Sequence, residues 1–129
     1  MELFFTILGD PRTKKNSSRI VTTKAGRSFL IPSKQYKEYE QSFCQQAKSK
    51  CVSGLKIDEK VCVKCVYYMR THRKVDLTNL LSATMDCLVV AGVIEDDNSK
   101  IAAANDGSRV RYDKTNPRVE ITISSLLED

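Results

Sequence analysis

The chain reads EKVCVKCVYYMR over residues 59–70 and DLTNLLSATMDCLVVA over residues 76–91. The first segment is rich in β-branched and aromatic residues, and its alternating pattern predicts a strand. The second segment places Leu80, Thr84, Leu88 and Ala91 on one stripe, and this spacing predicts a helix with one buried face. A long strand followed by such a helix indicates a fold in which helices pack on a sheet.

The flanking segments extend the same architecture. Further strands are predicted over residues 2–8, 100–104 and 118–124, and a hairpin over residues 19–31 turns near Gly26. Ser33 is placed to cap a first helix that ends near Lys50, and Gly92 is placed to end the second helix. The apolar stripe of the first helix consists of Tyr36, Tyr39, Phe43 and Ala47. We therefore expect an α/β (α+β) fold, a small mixed β-sheet with helices packed on it, in one domain over residues 1–129.

The composition is that of a soluble globular protein. Of the 129 residues, 41% are hydrophobic and 29% are charged, which is too apolar for a disordered segment. No run approaches the roughly 20 apolar residues of a membrane span, and the N-terminus lacks a signal peptide's basic start and cleavage site. We therefore expect a cytoplasmic protein without membrane contact.

Charge is distributed unevenly along the chain, although its net value is only +5. Residues 12–37 contain eight Lys or Arg and no Asp or Glu, and a second basic group occupies residues 70–74. Residues 75–99 contain no Lys or Arg and hold Asp76, Asp86, Glu95, Asp96 and Asp97. Clustered cations favour binding of a nucleic-acid phosphate backbone, whereas clustered carboxylates favour binding of Mg²⁺ or Mn²⁺. Together they indicate a metal-dependent nuclease, provided that residues 95–97 fold back towards Asp76.

Each of these features also has a purely structural interpretation. Asp76 is placed to cap the second helix, and Asp86 is placed on its solvated face, in line with Asn79. Both charged groups are then ordinary protein surface, as in a non-enzymatic nucleic-acid-binding or assembly protein.

The cysteines favour reduced thiols over a metal site. Their number is five, which is odd, and no secretory signal accompanies them. Cys62 and Cys65 have the spacing of a zinc motif, but side chains three apart on a strand point to opposite faces. A zinc-dependent regulator is therefore the less favoured alternative. A catalytic Cys–His pair using His72, the single histidine, lacks a third orienting group.

Two stretches carry a family resemblance, RKVDLTNLLSATMDCL at residues 73–88 and AGVIEDD at residues 91–97. They resemble the core signature of the RusA family of Holliday junction resolvases, which is a basic run, a D-x-D-N motif, a helix ending in D-x-L, and a glycine followed by an aspartate pair. The sequence GDPRTKKNSSR at residues 9–19 resembles that family's N-terminal loop, and residues 33–39 resemble the start of its first helix. The resemblance runs from about Phe5 to Ile123.

The resemblance implies a small dimeric endodeoxyribonuclease that binds four-way DNA junctions and cuts them with Mg²⁺, or Mn²⁺, in recombination and repair. By motif position, Asp76 and Asp97 hold the metal, Asp96 and Asp86 are additional ligands, and Thr78 and Asn79 have supporting roles. The DNA-binding residues are then Lys14, Lys15, Asn16, Arg19, Arg73 and Lys74. The partner subunit is expected to contact either the apolar stripe of the second helix or the long strand.

Two positions depart from the best-known family pattern. Thr78 stands where that pattern has a second aspartate, and it offers a neutral oxygen to a metal. Ser82 stands where the pattern has a lysine, so a positive charge has to come from Arg73, Lys74 or the Lys14–Lys15 arm. The alternative function is therefore a protein that binds branched DNA and cuts it weakly or not at all.

Overall fold

The computed structural model describes residues 1–14 and 18–126, and it describes only the backbone of residues 18–21 and 29–32. The strands and helices follow one another in the order β1 (Glu2–Leu8), β2 (Ser18–Thr22), β3 (Ser28–Pro32), α1 (Lys34–Ser49), β4 (Val61–Met69), α2 (Leu77–Val90), β5 (Ala102–Ala104), β6 (Arg109–Tyr112) and β7 (Arg118–Ser125).

Strand β4 is the centre of a five-stranded mixed sheet. It pairs antiparallel with β7, and β7 pairs antiparallel with the edge strand β1. On its other side, β4 pairs in parallel with β5 near its beginning and with β6 near its end. Strands β2 and β3 form a separate two-stranded hairpin. The predicted mixed sheet with helices is confirmed.

Both helices bury their apolar stripes in one core. Tyr36, Phe43 and Ala47 of α1 and Leu80, Thr84 and Leu88 of α2 are buried, as are alternate residues of β4, β7 and β1. The hydroxyls of Tyr67 in β4 and Thr84 in α2 form a 2.7 Å hydrogen bond, which places α2 on this face of β4. The other face of the sheet carries exposed or half-buried side chains such as Phe4 and Leu8, which are 60% and 53% exposed.

The predicted helix ends are confirmed. The Ser33 side chain accepts a hydrogen bond from the Tyr36 N–H at 3.2 Å, and Asp76 accepts one from the Thr78 N–H at 2.9 Å. Gly92 follows α2 with a φ of 73°, a value that favours glycine.

The structure decides two predictions about which side chains face the core. The apolar stripe of α2 was a candidate partner surface, and this is wrong because Leu80, Thr84 and Leu88 are buried within their own chain. The opposite orientation of Cys62 and Cys65 is confirmed, since Cys62 is half-buried and Cys65 is fully buried on the helix side. Burial also raises the pKa of the Cys65 thiol to about 12, so this thiol is a poor nucleophile at neutral pH.

Within residues 1–14 and 18–126, no helix has the length and apolar character that a membrane crossing requires.

Candidate nucleic-acid interface and active site

A cavity of about 320 Å³ opens at the end of the sheet where β1 and β4 finish. We call it the cationic cleft, because three of its lining side chains are positively charged and one is negatively charged. Its lining residues are Asp10, Pro11, Arg12, Thr13, Gln35, Met69, Thr71, Arg73, Lys74 and Val75.

Backbone contacts hold the two loops of the cationic cleft together. The Asp10 carboxylate accepts a 2.9 Å hydrogen bond from the Arg70 N–H, which ties the loop after β1 to the loop after β4. The Gly9 N–H donates to the Pro117 carbonyl at 3.0 Å, which fixes the first loop to the start of β7. The one acidic side chain of the cleft thus has a structural role, and the remaining charge is positive.

Asp76 follows directly after Val75, the last cleft residue, and caps the start of α2. Its side chain is exposed, and the capping hydrogen bond to the Thr78 N–H engages one of its two carboxylate oxygens. The N-terminus of a helix carries a partial positive charge, which adds to that of Arg73 and Lys74 beside it. The structure therefore places a carboxylate at the border of a region suited to phosphate.

Lys14 and Asp86 form an ion pair that links the basic loop to α2. Their charged atoms lie 3.0 Å apart, and the Lys14 ammonium also lies 5.6 Å from the centre of the Tyr36 ring. Asp86 therefore neutralises a cation in this structure. Since the two side chains are 43% and 35% exposed, the pair contributes little to stability.

Asp96 and Asp97 lie in the loop after α2. The Asp96 carboxylate accepts hydrogen bonds from the Asp97 N–H at 2.7 Å and from the Asn98 side-chain amide at 3.1 Å. These bonds hold the pKa of Asp96 below its usual value, so this exposed group is ionised at neutral pH.

The loop is anchored near the beginning of β4. The Ile57 N–H donates to the Val93 carbonyl at 3.0 Å, and the Ala102 N–H donates to the Asn98 carbonyl at 2.9 Å. Ala102 in turn pairs with Val61, the first residue of β4. Asp97 therefore lies beside the start of this strand.

Asp76 and the Asp96–Asp97 pair lie at opposite ends of the sheet. The cationic cleft that Asp76 borders includes Met69, the last residue of β4, whereas Asp97 lies near the first. Nine strand residues span about 26 Å, and ligands of one Mg²⁺ lie within about 2.1 Å of the ion.

Oxygen donors of this kind suit a hard cation, but their arrangement in a single chain does not. Among the described residues, no group of three or more His, Cys, Asp or Glu side chains is placed to hold a metal ion. The pocket expected from Asp76, Asp96 and Asp97 is therefore not assembled within one chain, and the expected return of residues 95–97 to Asp76 does not occur.

The other predicted site residues divide between the two ends of α2 and the basic loop. Thr78 and Ser82 are exposed near the start of α2, where Asn79 is half-buried. Lys15 and Asn16 lie outside the described residues, as does the side chain of Arg19. The sequence interpretation did not include Arg12, Thr13 and Gln35 among the site residues; of these, only Arg12 carried a signal, as a member of the stretch without acids.

The model of the family described as Endodeoxyribonuclease RusA matches residues 9–124, which include every strand and helix except β1 and the last residue of β7. The chain belongs to this family. The resemblance inferred from the sequence is therefore confirmed, and membership of the RusA family points to endodeoxyribonuclease activity on Holliday junctions in recombination. RusA resolvases generally depend on a divalent metal. No curated protein matches the chain.

Proposed function

We propose that the chain is a structure-selective endodeoxyribonuclease that cuts four-way junctions and related branched DNA in recombination and repair, with Mg²⁺ or Mn²⁺ as cofactor. The observation that carries this proposal is the position of Asp76, an exposed carboxylate beside the cationic cleft in a chain of the RusA family. Carboxylates and phosphate-binding cations have to lie side by side in such an enzyme.

The side chains of the cationic cleft are suited to hold a DNA strand. Arg12 and Arg73 each offer a planar fork of donors for phosphate oxygens, and Lys74 adds a point charge. When bound, a divalent cation stabilises charge that develops on the phosphodiester during cleavage. The cations of the cleft also take the place of the lysine that Ser82 replaces, because Arg73 and Lys74 lie in the loop directly before α2.

The separation of Asp76 from Asp97 gives the proposed homodimer a specific role. A four-way junction has approximate two-fold symmetry, so a symmetric dimer presents two equivalent sites to it. Both aspartates belong to the family motif, yet one chain holds them at opposite ends of the sheet. In the proposed dimer, Asp97 of the partner subunit completes the site at Asp76.

The direct test is incubation of the protein with a synthetic four-way junction and Mg²⁺. We expect paired cuts at symmetric positions, with 5′-phosphate ends, and no cutting in EDTA. A linear duplex of the same sequence serves as the control and should stay intact. Equal cutting of both substrates, or no cutting of either, would contradict the proposal.

A second candidate is a protein that binds branched DNA without cutting it. This function is favoured by the neutral residues Thr78 and Ser82 and by the lack of an assembled carboxylate group in the described part of one chain. Thermal melts separate the two functions, because a ligand at 100 times its Kd stabilises the folded state by about 2.7 kcal/mol. The nuclease should melt at a higher temperature in Mg²⁺, and the second candidate should not.

A further inference from the structure

Strand β6 lies at an edge of the sheet and carries two exposed arginines. Within residues 1–14 and 18–126 its one strand partner is β4, and all four of its residues are exposed. Arg109 and Arg111 are two residues apart and therefore share one face of the strand. The Arg109 Nε–H donates to the Gly107 carbonyl at 3.2 Å, a contact that orients the guanidinium without neutralising it. Neither arginine forms an ion pair with a residue in the described ranges.

Two neighbouring acids are paired with another arginine. Arg118 binds the carboxylates of Asp113 and Glu120 at 2.9 and 3.1 Å and stacks on the Tyr68 ring at 3.8 Å. The segment from residue 105 to residue 112 contains one acid, Asp106, against two arginines. Residues 105–120 together contain four Lys or Arg and three Asp or Glu, so the edge at β6 has a net charge of +1.

An exposed aromatic pair joins this edge to the cationic cleft. The rings of His72 and Tyr112 stack with their centres 3.6 Å apart, and both residues are exposed. Tyr112 pairs with Met69, which lines the cationic cleft, and His72 directly precedes Arg73 of the same cleft. We define the β6 strip as Arg109, Arg111, Tyr112 and His72.

We propose that the β6 strip is a second contact surface for the DNA backbone beside the cationic cleft, with Tyr112 on the face of β6 that carries its cleft partner Met69 and the two arginines on the other face. This inference rests on the proposed function, since it assigns an additional surface to the same DNA. Four strand residues extend about 13 Å, a length over which duplex DNA presents several phosphates at one charge per about 1.7 Å. A duplex arm that leaves the cationic cleft past Tyr112 and crosses the exposed edge of β6 therefore meets both arginines.

Protection against edge-to-edge aggregation is the competing explanation, because charged side chains at sheet edges serve that purpose. At the opposite edge, the last residue of β1 is protected in another way, since the Gln46 side chain bonds both the N–H and the carbonyl of Leu8 at 2.7 and 2.9 Å. Edge protection requires charge of either sign, whereas DNA binding requires positive charge. The two explanations thus predict different behaviour of substituted proteins.

The test compares junction binding by the wild type and by the double variant Arg109→Ala with Arg111→Ala. We expect the double variant to bind the junction about tenfold more weakly than the wild type, or weaker still, at 0.1 M salt. The slope of log K against log salt should be shallower by about 1.8, which corresponds to two lost phosphate contacts. The matched control is Lys48→Ala with Lys50→Ala, two exposed lysines at the end of α1, the helix whose Gln46 contacts the opposite edge. The control should keep the wild-type slope.

The double variant Arg109→Lys with Arg111→Lys keeps the charge and should bind within a few-fold of the wild type. It also retains edge protection, so it replaces the alanine pair if that variant aggregates. The double variant Arg109→Glu with Arg111→Glu, called the glutamate pair, should protect the edge but bind worse than the alanine pair. If the wild type binds junctions and the glutamate pair matches it in affinity and slope, the β6 strip is not a DNA surface, and the proposed function is unaffected. If the wild type binds no branched DNA, both proposals fail.

Discussion

Asp76 combines a structural role with a proposed chemical one. Its carboxylate caps α2 through the Thr78 N–H, and it borders the cationic cleft. The capping role was predictable from sequence, because an aspartate directly before an apolar helical stripe is a common helix start. The ion pair of Lys14 with Asp86 was not predictable, because it joins two segments that only the folded chain brings together.

Thr78 is the position at which a single substitution should strengthen metal binding. The first turn of α2 contains no acidic residue, so Thr78→Asp should stabilise the helix by about 0.3–1 kcal/mol through the helix dipole. A carboxylate beside Asp76 also adds an oxygen ligand that Mg²⁺ prefers. Thermal melts with and without Mg²⁺ should therefore show a larger metal-dependent increase in Tm than the wild type shows.

The neutral control for this change is Thr78→Asn, because asparagine has nearly the same shape as aspartate but no charge. It should show the metal response of the wild type. An equal response of the Asp and Asn variants would mean that position 78 does not face the metal.

Most strands and helices were predictable because local patterns determine them. Alternation identified β1, β4 and β7, and capping residues identified both ends of α2. Strand β6 was not predicted, because its sequence, RVRY, has only four residues and contributes none of them to the core. It forms because β4 offers a free edge, which is a property of the tertiary structure.

The turn after α2 depends on Gly92 for two reasons. Its φ is +73°, and a Cβ at this position would lie 3.1 Å from the backbone nitrogen of Gly54. Gly92→Ala should therefore reduce the free energy of unfolding by about 1–3 kcal/mol, as measured by urea denaturation.

Gly26→Ala is the matched control for this substitution. Gly26 has a similar φ of +83°, but a Cβ there would meet nothing within 4 Å. The decrease in the free energy of unfolding caused by Gly26→Ala measures backbone strain alone, and the decrease caused by Gly92→Ala should be larger. Equal losses would show that the approach to Gly54 has no energetic weight.

The sheet as a whole separates the two groups of acids that the sequence places close together. Helix α2 has 14 residues and is about 21 Å long, so its two ends are distant unless the following loop returns. The direction of that loop is set by its contacts with Ile57 and by the pairing of β5 with β4. These are long-range contacts, which explains why the sequence predicted the acidic residues but not their separation.

A site shared between subunits makes a prediction about mixed dimers. Asp76→Asn and Asp97→Asn should each abolish cleavage when prepared alone. In a heterodimer of the two variants, one site has both aspartates and the other has neither. Random mixing makes about half of the dimers heterodimers, and each of these has one intact site out of two. The mixture should therefore regain nicking of one junction strand, with about a quarter of the active sites of the wild type.

Denaturing gels of the junction products, with each strand labelled in turn, measure this recovery. The controls are the two variants taken separately through the same mixing procedure, and both should stay inactive. An inactive mixture, obtained from variants that still bind junctions as dimers, would contradict a site shared between subunits.

The most direct test of a nuclease site at Asp76 is the cleavage rate of a junction that is fully bound by the wild type or by Asp76→Asn. Asparagine also caps helices well, so the variant should keep the fold and the affinity for the junction. We predict that its single-turnover cleavage rate falls by about a hundredfold to a thousandfold or more. Equal rates for the two proteins at equal occupancy would contradict the account.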